Sequence, residues 1–194
     1  MSKKITEKEH VKKEKVSYVL KQPQKSIALI GMPGCFKSTV GKILAKQLGL
    51  TFCDTDVLYE RKYATTISET FETLGEEVFR QRESALLAKA AARSGLLIAT
   101  GGGVVVRQEN IEALKKGCVV VQLCANVYTI FARIRHSKSR PLLQSMTVYA
   151  IEELYKGRKD LYTQAAEFKI ITDGKMPKVI VDEIIEKVCD LKEG

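Results

Sequence analysis

A single α/β domain, with helices on both faces of a five-stranded parallel sheet, is the fold that three observations on the sequence predict. From Ser26 onward, short apolar runs alternate with longer stretches of helical periodicity, as βαβ units require. The apolar runs are nearly continuous rather than alternating, as strands covered on both faces should be. The chain has 194 residues, 45% of them hydrophobic, which suits one domain with one core.

The first strand is expected at 26–30 (SIALI), followed by a glycine-rich turn and a helix over 39–48 that stops before Gly49. A short strand at 51–53 leads into a helix over 56–63, and a long helical pattern covers 76–93. The third strand, 96–99 (LLIA), runs into three consecutive glycines and a helix over 108–115. A fourth strand at 118–123 precedes a helix at 127–134, and one long helix is expected over 148–166. The last strand, 169–171, is followed by a helix over 178–191. Residues 136–150 include a basic, aperiodic stretch with one proline and read as a mobile lid beside a site. Residues 1–25 form a polar, lysine-rich tail, and residues 26–194 form the domain.

The formal charge of +9 would suit nucleic acid, a membrane surface or an anionic small substrate. Residues 1–25 carry eight lysines and three glutamates, so the tail holds five of those net charges and the body is only mildly basic. The body has no basic stripe interleaved with aromatics, which argues against nucleic acid. An apolar run long enough to cross a membrane is missing, and the tail lacks the apolar core of a secretory signal. A cytoplasmic monomer is expected. The five cysteines have neither metal-ligand spacing nor CxxC pairing and read as reduced thiols.

The strongest motif is Gly31-Met32-Pro33-Gly34-Cys35-Phe36-Lys37-Ser38-Thr39, placed between a strand and a helix. Such a loop binds a triphosphate because consecutive backbone N–H groups converge on phosphate oxygens at a helix N-terminus. Gly34, Cys35, Phe36, Lys37, Ser38 and Thr39 are therefore candidate ATP contacts, with Lys37 on the β and γ oxygens and Ser38 on magnesium. The strict pattern has glycine where this chain has Phe36. A residue with a Cβ there must either adopt backbone angles costly to it or distort the loop.

Asp54-Thr55-Asp56 follows the second strand. Its alternating acids suit one carboxylate near a magnesium shell and one facing a substrate hydroxyl, or Asp56 simply caps the next helix. In Phe79-Arg80-Gln81-Arg82-Glu83, Arg80 and Glu83 are helical neighbours. They form either a solvated ion pair or a positioned fork for a carboxylate. Gly101-Gly102-Gly103 ends the third strand, either as a plain turn or as a close backbone approach to ligand. Arg133, Arg140-Pro141-Leu142-Leu143 and Arg158-Lys159-Asp160-Leu161-Tyr162 complete the set.

In that order and spacing, over nearly the whole span from Ser26 to Leu191, the motifs resemble the shikimate kinase family. The resemblance implies a three-layer P-loop kinase fold with strand order 2-3-1-4-5, magnesium as cofactor, and ATP and shikimate as substrates. Asp56, Arg80, Gly102, Gly103 and Arg158 would hold shikimate, with Phe71 and Phe79 walling its pocket and Glu83 orienting Arg80. Lys37, Asp56 and Arg140 would be the catalytic residues, Arg140 reaching in from the lid. Arg133 would flank the adenine, Lys175 would join the ATP contacts, and Ser38 with Asp54 would serve the metal. Asp56 would either orient the acceptor hydroxyl or take its proton. A degenerate kinase fold acting as a binding module is the alternative that Phe36 raises, and a gluconate or nucleotide kinase would lack the paired arginines.

Overall fold

The computed structural model describes residues 25–135 and 146–191. Arg140 and most of the expected lid lie outside these residues. Five parallel strands form one sheet: β1 (Ser26–Ile30), β2 (Thr51–Asp54), β3 (Leu96–Ala99), β4 (Cys118–Cys124) and β5 (Phe168–Ile171), in the order β2-β3-β1-β4-β5. The three inner strands are buried almost throughout, which explains their unbroken apolar runs, whereas Thr51–Asp54 stays partly exposed at one edge.

The helices are α1 (Lys37–Leu48), α2 (Thr55–Tyr63), α3 (Ile67–Ala91), α4 (Gln108–Gly117), α5 (Val127–Ile134), α6 (Val148–Lys156), α7 (Lys159–Ala165) and α8 (Pro177–Asp190). One layer holds α1 against α8 and the other packs α3 against α4, which meets α7. The core between them centres on Ile27, Leu29, Leu44, Leu97, Ile98, Leu114, Val120 and Ile184.

Two helices depart from the expected pattern. The long helix starts at Ile67 rather than 76, because Thr66 caps it in a reciprocal pair with Glu69. Gly75 breaks it with φ 82, so it comprises two helical pieces meeting just before Glu76. The single helix expected over 148–166 is two, α6 and α7, separated at Gly157 and Arg158. Arg158 has left helical geometry at φ −121, and the break aims its side chain at the triglycine turn. A short 3₁₀ turn at Val104–Val106, which the sequence pattern did not suggest, follows the triglycine. Among the described residues no helix is long and apolar enough to cross a membrane.

Candidate active site

The candidate residues collect at the carboxyl ends of the strands, where an open parallel sheet presents its crevice. The loop after β1 is drawn tight against its neighbours. A Cβ at Gly31 would overlap the Leu123 carbonyl, and one at Gly34 would meet Ile134 Cγ1 at 3.2 Å. Phe36 resolves the question its sequence raised: its backbone adopts the left-handed conformation a glycine would take, φ 67 and ψ 14, and α1 starts undistorted at Lys37. Its ring turns away to stack on the Arg133 guanidinium, with Cζ 3.7 Å from the ring centre.

Arg133 is held on its other edges. Its Nη1 donates to the Gly34 carbonyl and to Thr172 Oγ1, both at 3.0 Å, and its Nη2 donates to the Thr172 carbonyl at 3.0 Å. It therefore ties the phosphate loop to the turn after β5. Gly34, Phe36, Lys37, Ser38, Thr39, Arg133 and Ile134 line a cavity of about 240 Å³. Lys175 does not line it, and its amine pairs instead with Glu183 at 2.7 Å. Cys35 is buried, and that burial raises its thiol pKa even with Lys37 and Arg133 near.

Lys37 is buried, and its Nζ donates to the Gly31 and Met32 carbonyls at 2.8 and 2.9 Å, which places the amine inside the cradle. Ser38 Oγ donates to Asp54 Oδ2 at 2.7 Å, while Asp54 Oδ1 accepts from the Asp56 backbone N–H at 3.1 Å. Asp54, not Asp56, is thus the cap of α2. A hydroxyl and a carboxylate oxygen 2.7 Å apart fit two adjacent positions of an octahedral magnesium shell, where ligands at about 2.1 Å stand roughly 3 Å from each other. No set of three or more acidic, histidine or cysteine side chains offers a metal cage among the described residues.

Across the crevice, Arg80 is buried and held from two sides. Its Nη1 donates to Glu83 Oε2 at 2.7 Å, and its Nε and Nη2 donate to Glu76 Oε1 at 3.1 and 3.0 Å. Glu83 is 5% exposed, and burial pushes its carboxyl above the ordinary range against the pull of Arg80. The pair is therefore not the solvated one that spacing alone allowed.

The triglycine is the point of convergence. A Cβ on Gly101 would lie 2.8 Å from Glu83 Oε1 and 2.9 Å from Asp56 Oδ1. One on Gly102 would lie 2.7 Å from Pro33 Cδ, and one on Gly103 would lie 2.5 Å from Arg80 Nη1. Arg158 Nη1 donates to the Gly102 carbonyl at 3.3 Å, and the buried Tyr162 hydroxyl donates to the same oxygen. Phe79 packs against Arg80, whose Cζ lies 5.1 Å from the ring centre; Phe71 meets Phe79 at a tilt with centroids 4.8 Å apart, and Tyr59 packs on Phe79 at 5.0 Å.

The structure thus brings together Asp56, Arg80, Glu83, Gly102, Gly103, Arg158 and Phe79, with the phosphate loop facing them. Sequence reasoning missed Glu76, Tyr59 and Thr172. Glu76 is four residues before Arg80, a spacing that signals pairing on a helix, whereas nothing local marks Thr172, which meets Arg133 only through the fold.

A phosphate loop opening onto an arginine-lined acceptor crevice defines a small-molecule kinase of the P-loop class. The family model described as shikimate kinase matches residues 33–189. A shikimate kinase of Thermodesulfovibrio yellowstonii is 40% identical over 171 residues, spanning 88% of this chain and 98% of that protein. One of Pseudomonas aeruginosa is 39% identical over 167 residues, spanning 86% and 97%. Among solved structures, shikimate kinase from Acinetobacter baumannii in complex with shikimate superposes with a TM-score of 0.83 at 36% identity, covering 87% of this chain and 94% of that one. A gluconokinase from Sinorhizobium meliloti, at 16% identity and a TM-score of 0.57, shares the fold alone. The chain belongs to the shikimate kinase family.

Proposed function

We propose that this protein transfers the γ-phosphoryl group of ATP to the 3-hydroxyl of shikimate, yielding shikimate 3-phosphate and ADP within aromatic amino acid (chorismate) biosynthesis. The observation that carries this reading is the convergence of two arginines on one triglycine opposite the phosphate loop. Arg158 bonds the Gly102 carbonyl at 3.3 Å, while the Arg80 guanidinium abuts the site of a Gly103 Cβ at 2.5 Å. Two planar forks on one small pocket, walled by Phe71 and Phe79, suit a compact ring carrying a carboxylate.

In the reaction, the hydroxyl oxygen of the acceptor bonds to the γ-phosphorus as the bond to the β–γ bridging oxygen breaks, and ADP leaves with those electrons. Lys37, released from the Gly31 and Met32 carbonyls, neutralises phosphate oxygens, and the loop amides at the start of α1 hold the rest. Ser38 and Asp54 would hold magnesium, which supplies charge neutralisation across the phosphates. Asp56, beside Gly101, faces the acceptor hydroxyl, orienting it or accepting its proton as the new bond forms. Glu83 keeps Arg80 in place. Arg140 is assigned to the transferring phosphoryl group and Arg133 to the base side of ATP, with Phe36 stacked on it.

A coupled ADP-release assay with shikimate, with gluconate, and with no acceptor tests the proposal. Turnover that depends on shikimate alone is the expected result. Turnover with gluconate, or ATP binding without any acceptor-dependent turnover, would overturn it.

A further inference from the structure

A second groove, lined by neither the phosphate loop nor the triglycine, lies along the outer edge of β2. It encloses about 650 Å³ and follows the whole strand, Thr51 to Asp54. Because β2 is the end strand of the sheet, the backbone N–H and C=O groups on its outer edge have no neighbouring strand among the described residues. Both helical layers overhang this edge: Lys42 reaches it from α1, and Leu86, Lys89, Ala90 and Arg93 from the end of α3 and just beyond. The space left between them is a slot at the position of a sixth strand.

The slot has an apolar floor and a cationic rim. Phe52, Val57, Leu58, Leu86, Ala90 and Leu96 supply the floor, and Val57 is 51% exposed. Lys42, Arg61, Lys62, Lys89 and Arg93 supply the rim, and none of the five has an ion-pair partner among the described residues. Asp54 is the single acid lining it among the described residues, and both its carboxylate oxygens are already engaged, by Ser38 and the Asp56 amide. A cationic, half-apolar strand edge is commonly protected from pairing with its own kind.

We infer that this slot is a docking site for an acidic, extended segment of a partner protein, which adds to β2 as a sixth strand. Its backbone would pair with the open edge, its alternate apolar side chains would cover the floor, and its acidic side chains would meet the rim. Charge selects against the two occupants nearest to hand. A second copy would bring the same five cations to the interface, and residues 1–25 carry eight lysines against three glutamates. Nucleic acid would use the rim but would leave both the apolar floor and the strand edge unsatisfied.

The probe is a fluorescent octapeptide of alternating valine and glutamate, titrated into the full chain by anisotropy. Its comparators are the valine–lysine octapeptide, the valine–glutamate peptide N-methylated at alternate backbone positions, and a uridine octanucleotide. We expect saturable binding of the acidic peptide, at least tenfold weaker binding of the lysine and N-methylated forms, and no competition from the oligonucleotide. The double substitution Lys89→Glu with Arg93→Glu should weaken the peptide at least tenfold and leave kinase turnover unchanged. Failure of the acidic peptide to bind, equal binding of the N-methylated peptide, binding insensitive to the charge reversal, or displacement by the oligonucleotide would each overturn the inference.

Discussion

Two adjacent glycines should separate the two halves of the site. At Gly103 a methyl group would lie 2.5, 2.6 and 2.8 Å from Arg80 Nη1, Nη2 and Cζ, so Gly103→Ala must push the guanidinium aside. The obstacle is the tip of a flexible side chain, so the fold can give way there, but the bond from Nη1 to Glu83 at 2.7 Å is lost or bent. A hydrogen bond between charged groups is worth about 1.5 to 3 kcal/mol. If that energy is what aligns Arg80 for the acceptor carboxylate, affinity for shikimate falls by about 10- to 150-fold, at about 1.4 kcal/mol per factor of ten. At Gly102 the same methyl would meet Pro33 instead, at 2.7 and 2.9 Å from Cδ and Cγ and 3.2 Å from its backbone nitrogen. A proline ring inside the phosphate loop cannot swing away, and overpacking of this kind costs about 1 to 3 kcal/mol. Gly102→Ala should therefore weaken ATP more than shikimate. Calorimetric titration of each ligand into both variants, with Tm as a control for folding, gives four affinities. A Gly103→Ala protein that binds shikimate within twofold of the parent, or two variants with the same pattern of loss, would refute the reasoning.

Three further outcomes follow from the same geometry. Arg80→Lys and Arg158→Lys should each raise the shikimate dissociation constant by about 30-fold or more with little effect on ATP, because an ammonium cannot replace a planar fork; unchanged acceptor affinity in both would remove them from the clamp. Glu83 must be ionised to hold Arg80, and burial raises its pKa, so the shikimate KM should climb as pH falls from a point above the usual carboxylate range. The stability effect has the opposite sign: a carboxyl whose folded pKa is raised contributes stability at low pH that is lost as pH rises through that value. Glu83→Gln should abolish the pH dependence of KM in this window, and a KM profile identical to the parent's would exclude Glu83 as its source. At Phe36, glycine relieves the cost of φ 67 while alanine keeps that cost and loses the ring, so Phe36→Gly should be more stable than Phe36→Ala by about 1 kcal/mol. In a chain of this size that is about 2 to 4 °C in Tm, and equal melting temperatures would show that the loop carries no strain.

How far the sequence alone reaches differs from element to element. The inner strands were legible because their residues are apolar on both faces: SIALI, LLIA and CVVVQL are covered by helices above and below, so no polar alternation obscures them. The phosphate loop was legible because its work is done by backbone amides within nine consecutive residues, and local spacing encodes local geometry. The break between α6 and α7 was not, since apolar periodicity runs across Gly157 and Arg158; what opens the helix there is the geometry that carries Arg158 to the Gly102 carbonyl, 56 residues away in sequence. The sequence likewise left Arg80 and Glu83 as either a solvated pair or a positioned fork. Spacing alone determines that two helical side chains are neighbours, but only their burial beneath the triglycine decides that the pair is held in place. The same holds for Phe36, whose identity set the conflict with the loop. Its outcome rested on Arg133, 97 positions further along, because a guanidinium fixed by the Gly34 and Thr172 carbonyls gives the displaced ring a surface to stack on. Composition, periodicity and short motifs determined the layers, the loop and the family. Tertiary structure decided which charges are buried, which side chain each glycine of the triglycine faces, and which strands end the sheet, because each depends on contacts between residues that the chain order keeps far apart.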